Sequence, residues 1–120
     1  MAGEAVLAAE EKKADVLRIG LIGCGGRGSG AVTDAVAADS NVQLVAMADV
    51  FRDKLDASRE RLQKAIGEKF AVDEDHEFVG FDAYQKLLQS DVDVVFLTTP
   101  PHFRPIHLKA AIEAGKHVFA

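Results

Sequence analysis

A glycine-rich segment at residues 23–30 has the pattern Gly-x-Gly-x-x-Gly, with Gly23, Gly25 and Gly28 at the fixed positions. It follows a short aliphatic run, residues 16–22, and precedes apolar residues at helical spacing, which predicts a strand–turn–helix unit. In that setting Gly23 permits a tight turn, Gly25 leaves room beside the backbone, and Gly28 lets helix and strand approach. Backbone N–H groups at the helix start would then face a diphosphate. The segment therefore predicts a dinucleotide-binding turn, and the alternative is a glycine turn that binds nothing.

An acidic residue occurs at the distance that such a turn requires. Asp49 lies 21 residues after Gly28, at the end of a second predicted strand, residues 42–48. A carboxylate there can accept hydrogen bonds from the ribose hydroxyls of the adenosine and would repel a 2′-phosphate, which favours NAD over NADP. Arg52 follows closely and could soften that preference or lie over the adenine. The alternative for Asp49 is a solvated carboxylate at a strand end.

A third candidate group comes after the fourth predicted strand and has the sequence Thr98-Thr99-Pro100-Pro101-His102. Parallel strands end at the same edge of their sheet, so this segment is expected beside the glycine turn. Threonine hydroxyls and a proline wall suit the nicotinamide–ribose end of the cofactor. The alternatives are a plain turn that ends the strand and a structural role for His102.

The candidate cofactor-binding residues are Gly23, Cys24, Gly25, Gly26, Arg27, Gly28, Asp49, Arg52, Thr98, Thr99, Pro100 and His102. The Cys24 side chain has no evident base partner, so we interpret it as a small filler of the turn. One face of the last predicted helix is apolar and is formed by Phe103, Ile106, His107, Ala110, Ala111 and Ala114. His107 is therefore interpreted as a core histidine. His76 lies among acidic residues but without an arguable ligand geometry, so no metal site is predicted.

Strands and helices alternate along the chain, which predicts parallel βαβ units in a doubly wound, three-layer α/β domain of the Rossmann type. The predicted strands cover residues 16–22, 42–48, 78–81 and 92–97, with a further strand from His117. The predicted helices run from the glycine turn to Ala38, over 51–66, over 82–88 and over 103–114. Asp82 and Gln85 have the spacing of a capping box. Gly67 and Gly115 are predicted helix ends.

Composition limits the remaining classes of protein. The 120 residues carry a net charge of −5, are 48% hydrophobic and include one cysteine. The acidic balance argues against nucleic-acid binding, no apolar run is long enough for a membrane span, and no internal disulfide can form. Residues 1–15 are expected to be a polar arm and residues 16–120 the folded domain. The absence of a basic leader predicts a cytoplasmic protein, with export after removal of a signal as the alternative.

Three segments resemble the Gfo/Idh/MocA oxidoreductases, the glucose–fructose oxidoreductase and inositol dehydrogenase group. They are residues 19–28, 94–102 and 110–118, the last reading Ala-Ala-Ile-Glu-Ala-Gly-Lys-His-Val. The resemblance implies the NAD-binding domain of an oxidoreductase that transfers a hydride between a sugar, polyol or related compound and nicotinamide. It also implies that the intact protein is a homo-oligomer.

The resemblance also indicates what this sequence lacks. Arg104 stands where family members often carry a histidine, so a substrate contact from that histidine is not expected. The family's catalytic lysine lies in a Glu-Lys-Pro motif after the strand that begins at His117, beyond Ala120. No catalytic residue is therefore predicted within this chain. The domain is expected to be incomplete, to precede a separate substrate domain, and to be inactive alone.

Three alternative functions stay open at this point. A glycosidase of the same family would oxidise a sugar transiently and keep its NAD. A non-catalytic dinucleotide-binding sensor domain would use the same turn. An S-adenosylmethionine-binding protein also uses a glycine turn with an acid after the second strand, although residues 115–118 argue against it.

Overall fold

The computed structural model describes residues 16–101 and 103–119, and in it five parallel strands form a single sheet. The strands are β1 (Leu17–Ile22), β2 (Val42–Asp49), β3 (Glu77–Val79), β4 (Val94–Leu97) and β5 (His117–Phe119). Their order across the sheet is β3-β2-β1-β4-β5. The predicted arm at residues 1–15, His102 and Ala120 lie outside the described residues.

Four helices cover the two faces of the sheet. They are α1 (Gly26–Ala38), α2 (Arg52–Ile66), α3 (Ala83–Leu88) and α4 (Arg104–Glu113). One core cluster joins the sheet to α1 and α2, with Val32, Leu55 and Leu62 fully buried, and a second joins it to α3 and α4 through Leu87 and Ala111. The predicted doubly wound, three-layer α/β fold is confirmed.

The sheet register aligns the carboxyl ends of the three central strands. Ile22 at the end of β1 lies opposite Ala48 of β2 on one side and Leu97 of β4 on the other. The connections from β1 to β3 pass over one face of the sheet through α1 and α2, whereas the connections from β3 to β5 pass over the other face through α3 and α4. Parallel sheets bind ligands at the carboxyl edge where the winding reverses, which here is beside the end of β1.

Several element boundaries differ from the predicted ones for local reasons. Strand β4 begins at Val94 and not at residue 92, because the Val92 N–H bonds back to the Ser90 carbonyl in a turn. Strand β3 ends at Val79, because Gly80 has φ of +121° and turns the chain. Helix α1 begins at Gly26, so the second half of the glycine-rich segment is already helical.

The predicted capping box at Asp82 and Gln85 is wrong. Helix α3 has no side-chain cap, since Asp82 adopts φ −96° and ψ 5° and not the extended geometry of a capping residue. Its carbonyl oxygen accepts the Gln85 N–H at 3.1 Å, while its carboxylate lies 3.8 Å from Lys86 Nζ. The Gln85 amide donates to the Tyr84 hydroxyl.

The predicted apolar face of α4 is correct in part. His107 and Ala111 are buried at helical spacing, and the interpretation of His107 as a core histidine is confirmed. Ile106 is 58% exposed, which contradicts its predicted place on that face. The predicted helix ends are confirmed, since Gly67 and Gly115 have φ of +56° and +76°.

Candidate dinucleotide-binding site

At two positions of the turn, close contacts leave no room for a side chain, so only glycine fits. Gly23 has φ of +92°, and a Cβ atom there would lie 2.8 Å from the Thr99 nitrogen. A Cβ atom at Gly28 would lie 2.5 Å from the Gly23 carbonyl oxygen and 2.6 Å from Thr98 Oγ1. Real Cβ contacts are not this short, so any side chain would push the helix from the strands. The predicted tight turn at Gly23 and close approach at Gly28 are confirmed.

The start of α1 presents backbone donors to open space. Gly25 precedes the helix in an extended conformation, no side chain caps the helix, and no acidic residue lies in its first turn. The first amide bonded along the helix is that of Ser29, which donates to the Gly25 carbonyl at 3.0 Å. The three preceding amides, at residues 26–28, therefore have no partner along the helix.

The space beside these donors fits a diphosphate. A Cβ atom at Gly25 or Gly26 would find no atom within 4 Å, so both positions leave the backbone approachable. The helix dipole adds a partial positive charge at this end. Arg27 is exposed in the same turn, and within the described part of the chain its guanidinium forms no ion pair. The donor set is therefore that of an anion site of the phosphate type.

The carboxylate of Asp49 is fixed against the glycine turn. Its Oδ2 atom accepts the Cys24 N–H at 2.7 Å, and its Oδ1 atom accepts the Phe51 N–H at 3.0 Å. A carboxylate oxygen can accept more than one hydrogen bond, so both oxygens retain capacity for hydroxyl donors. Asp49 therefore lies where the sequence spacing places a ribose-binding acid, and it also holds the turn.

The Cys24 side chain points into the core. It is 1% exposed, and its Sγ atom donates to the Ala48 carbonyl at 3.4 Å. Burial, with a smaller contribution from the Asp49 charge, raises the pKa of the Cys24 thiol far above its usual value. Its interpretation as a filler is confirmed, and any contact between Cys24 and a cofactor is limited to its backbone.

The end of β4 joins the glycine turn, as predicted. The Thr98 N–H donates to the Ile22 carbonyl at 3.0 Å, and Thr98 Oγ1 donates to the Gly23 carbonyl at 2.6 Å. Thr99 Oγ1 pairs with His107 Nδ1 at 3.1 Å. Both hydroxyls thus have partners within the protein, and their contact with a nicotinamide ribose stays a prediction. Pro100 is exposed directly after them.

A small cleft opens on the α3 and α4 side of the same edge. Asp49 and Gly23 line it from the strand ends, and Tyr84 and His107 line it from the helices. The Tyr84 and His107 rings are 4.4 Å apart between centroids and tilted by 37°. The structure therefore brings the glycine turn, the acid and the end of β4 to one edge, beside an aromatic wall that the sequence reasoning did not predict.

Arg52 lies in two ion pairs, and its contact with an adenine or a 2′-phosphate stays a prediction. Its Nε atom lies 3.0 Å from Asp56 Oδ1, and its Nη2 atom lies 2.9 Å from Glu77 Oε1. The hydrogen bond with Asp56 is the largest of the interactions that raise the pKa of Arg52. Glu77 is a charged residue at this edge that sequence reasoning missed, and only its pairing across the sheet could have revealed it.

The described residues contain neither a membrane-spanning helix nor a cluster of metal ligands. No helix within them combines the length and apolar character needed to cross a bilayer. Among residues 16–101 and 103–119, no three His, Cys, Asp or Glu side chains are arranged to hold a metal ion.

A parallel three-layer domain with a glycine turn, an open helix N-terminus and an acid at the end of β2 has the architecture of a dinucleotide-binding Rossmann domain. Residues 17–120 match the family described as "Oxidoreductase family, NAD-binding Rossmann fold", the GFO_IDH_MocA family. The chain belongs to this family, as its sequence resemblance indicated, and it is an NAD-binding Rossmann domain of the Gfo/Idh/MocA oxidoreductases.

Curated relatives include proteins with glycosidase names. A glycosyl hydrolase family 109 protein of Streptomyces niveus is 35% identical over 107 residues, covering 89% of this chain and 21% of the relative. One from Shewanella baltica is 32% identical over 120 residues, covering 98% and 25%. An alpha-N-acetylgalactosaminidase of Shewanella oneidensis is 31% identical, also covering 98% and 25%. The chain thus spans about a quarter of the length of these relatives.

Solved structures include oxidoreductases of related fold. Apo scyllo-inositol dehydrogenase from Lactobacillus casei superposes with a TM-score of 0.67 at 26% identity, covering 88% of this chain and 28% of that enzyme. A 3-ketoreductase from Actinomadura kijaniata, in complex with NADP and TDP-benzene, gives a TM-score of 0.65 at 27% identity, covering 88% and 29%.

Proposed function

We propose that this domain holds NAD for an enzyme that transfers a hydride between a sugar or polyol and nicotinamide. The observation that carries the proposal is the 2.7 Å hydrogen bond between the Asp49 carboxylate and the Cys24 N–H. It joins the acid suited to a ribose diol to the turn suited to a diphosphate. One hydrogen bond therefore holds the two parts of the proposed adenosine diphosphate site next to each other.

Each part of the edge has a task in this proposal. The amides of residues 26–28 donate to the diphosphate, with Arg27 adding positive charge. Asp49 accepts from the adenosine ribose, and the segment from Thr98 to Pro100 bounds the nicotinamide end. Bound NAD supplies the hydride acceptor. By family resemblance the proton-transferring lysine follows the β5 strand beyond Ala120, so the chain alone should bind NAD without turnover.

The charges at the edge favour NAD over NADP. A 2′-phosphate would meet the Asp49 carboxylate, and the cation three residues later is already paired, since Arg52 contacts both Asp56 and Glu77. The 3-ketoreductase relative shows that NADP occurs among structures of this fold. The preference for NAD is therefore proposed from this chain's own residues.

The test is calorimetric titration of the chain with NAD, NADP and S-adenosylmethionine. We expect saturable NAD binding, weaker NADP binding and no heat from S-adenosylmethionine. Absence of NAD binding by a folded chain would overturn the proposal. Accumulation of NADH by the chain with a free sugar would contradict the assignment of proton transfer to a residue beyond Ala120.

A second candidate function is supported by the names of the relatives. Glycosyl hydrolase family 109 proteins and an alpha-N-acetylgalactosaminidase share 31–35% of aligned residues with this chain. The parent protein would then be a glycosidase that oxidises its sugar transiently and regenerates its own NAD. Such an enzyme copurifies with NAD, cleaves a chromogenic N-acetylgalactosaminide and accumulates no NADH, whereas a dehydrogenase accumulates NADH with a free sugar.

The remaining proposals concern the intact protein. We expect it to act on a small sugar or polyol. We also expect it to form a homo-oligomer and to be located in the cytoplasm. Gel filtration with light scattering and cell fractionation test the last two.

A further inference from the structure

Glu77 is a buried carboxylate between two arginines of the neighbouring helix. Its side chain is 1% exposed, although it lies at the start of the edge strand β3. Its Oε1 atom is 2.9 Å from Arg52 Nη2, and its Oε2 atom is 3.0 Å from Arg59 Nη1. Opposite charges of this kind offset the loss of hydration of a buried carboxylate, and the hydrogen bond from Arg52 Nη2 directs that guanidinium at Glu77.

This group lies at the adenosine end of the proposed cofactor site. In the pairing of β2 with β3, Val79 lies opposite Asp49 and Glu77 lies opposite Met47. Glu77 therefore comes two residues before the partner of Asp49, on the same face of the sheet. Arg52, three residues after Asp49, donates to Glu77 Oε1 at 2.9 Å, which links the Glu77 carboxylate to the chain that follows Asp49.

Arg52 is the first basic residue after Asp49 in the chain. It opens α2, three residues after Asp49, and 54% of its side chain is exposed. Asp56 holds its Nε atom and Glu77 holds its Nη2 atom, so its donors are directed at carboxylates on two sides. These contacts engage two of the five N–H donors, and the two carboxylates offset the positive charge that would attract a phosphate.

We infer that Glu77 is a determinant of cofactor selectivity, because it holds Arg52 in an ion pair and so withholds that cation from a 2′-phosphate. The inference rests on the proposed binding of NAD at this edge. It adds a second, indirect determinant to the direct repulsion by Asp49. The exposed partner Asp56 acts on the same guanidinium from the other side.

The test measures dissociation constants for NAD and NADP by calorimetry in the chain and its variants. Glu77→Gln keeps the size of the side chain and removes its charge, and the ratio of the NADP to the NAD constant should fall on the order of tenfold. Glu68→Gln, which removes an exposed charge after the far end of α2, is the matched control and should leave the ratio unchanged. Adding Arg52→Ala to Glu77→Gln should restore the original ratio.

The possible failures can be distinguished. If the unchanged chain binds no NAD, the proposed function fails. The inference on Glu77 is overturned if the chain binds NAD but a folded Glu77→Gln variant keeps the original ratio. It is also overturned if the lower ratio of Glu77→Gln persists after Arg52→Ala is added. Should Glu77→Gln not fold, as judged by circular dichroism, Glu77→Met decides, because it replaces the carboxylate by an apolar side chain of similar length that suits a buried position. An unchanged ratio in that folded variant also overturns the inference.

Discussion

The Asp49 carboxylate and the Cys24 N–H are 2.7 Å apart, which joins the end of β2 to the glycine turn after β1. The other carboxylate oxygen accepts the Phe51 N–H and so fixes the chain at the start of α2. The residue suited to bind a ribose is thus also part of the structure of the phosphate-binding turn. Loss of this side chain should affect folding and binding together.

Two replacements of Asp49 separate its contribution to stability from its contribution to NAD binding. Asp49→Ala leaves two backbone donors without their acceptor, and the free energy of unfolding should fall by about 1–3 kcal/mol. Asp49→Asn keeps one acceptor oxygen, so it should cost less stability while still weakening NAD binding. Urea unfolding and calorimetric titration measure the two effects. Glu60→Gln, an exposed change on α2, should alter neither, and an equal loss of NAD affinity in that control would contradict the role of Asp49.

Alanine at Gly28 and at Gly30 should have opposite effects within one helix. At Gly28 the new Cβ atom would lie 2.5 Å from the Gly23 carbonyl oxygen, and such overpacking costs about 1–3 kcal/mol. At Gly30 no atom lies within 4 Å, so alanine should stabilise the helix by about 0.5–1 kcal/mol. Thermal unfolding measures both. A Gly28→Ala variant as stable as Gly30→Ala would refute the close approach of helix and strand.

The glycine turn and Asp49 could be predicted from the sequence because their signal is local. Gly23, Gly25 and Gly28 lie within one strand–turn–helix unit, and the spacing to Asp49 is set by one helix and one strand. The aliphatic runs of the strands and the apolar spacing of the helices are likewise properties of short segments. These features define the fold class and most of the candidate site at the carboxyl edge of the sheet.

Contacts between distant segments could not be predicted in the same way. Glu77 contacts Arg52 and Arg59 only because β3 pairs with β2 and α2 crosses above them. The Asp82 cap failed because a backbone torsion, not the residue spacing, decides whether a carboxylate can cap a helix. Such details depend on how elements pack against each other, which residue types and spacing do not encode locally.

Cys24 should be unreactive in the folded chain. Its side chain is 1% exposed, and burial raises the pKa of its thiol, so little thiolate is present at neutral pH. A disulfide reagent such as DTNB should therefore react slowly with the native protein and at once after unfolding in guanidinium. Since Cys24 is the only cysteine, the released chromophore counts this thiol directly. Rapid reaction with the native protein would contradict the burial of this thiol in the turn.

The stability of the domain should decrease as the pH falls below neutrality, because of His107. This histidine is 6% exposed, bonded to Thr99 Oγ1 and packed against Tyr84, and burial lowers its pKa below the usual value of 6.5. The cation nearest to this pair in the hydrogen-bond network is Arg104, which donates to the Thr99 carbonyl and gives no compensation for a second positive charge.

The direction of the effect follows from proton linkage. As the pH falls through 6.5 the unfolded chain takes up a proton at His107 while the folded chain does not, so unfolding is favoured until the folded-state pKa is passed. The melting temperature should fall from about pH 8 to about pH 5.5, a window above the usual titration range of carboxylates. His107→Gln should flatten this dependence, whereas His117→Gln, at an exposed position, should retain it. An equal pH dependence in all three proteins would show that His107 is not the titrating group.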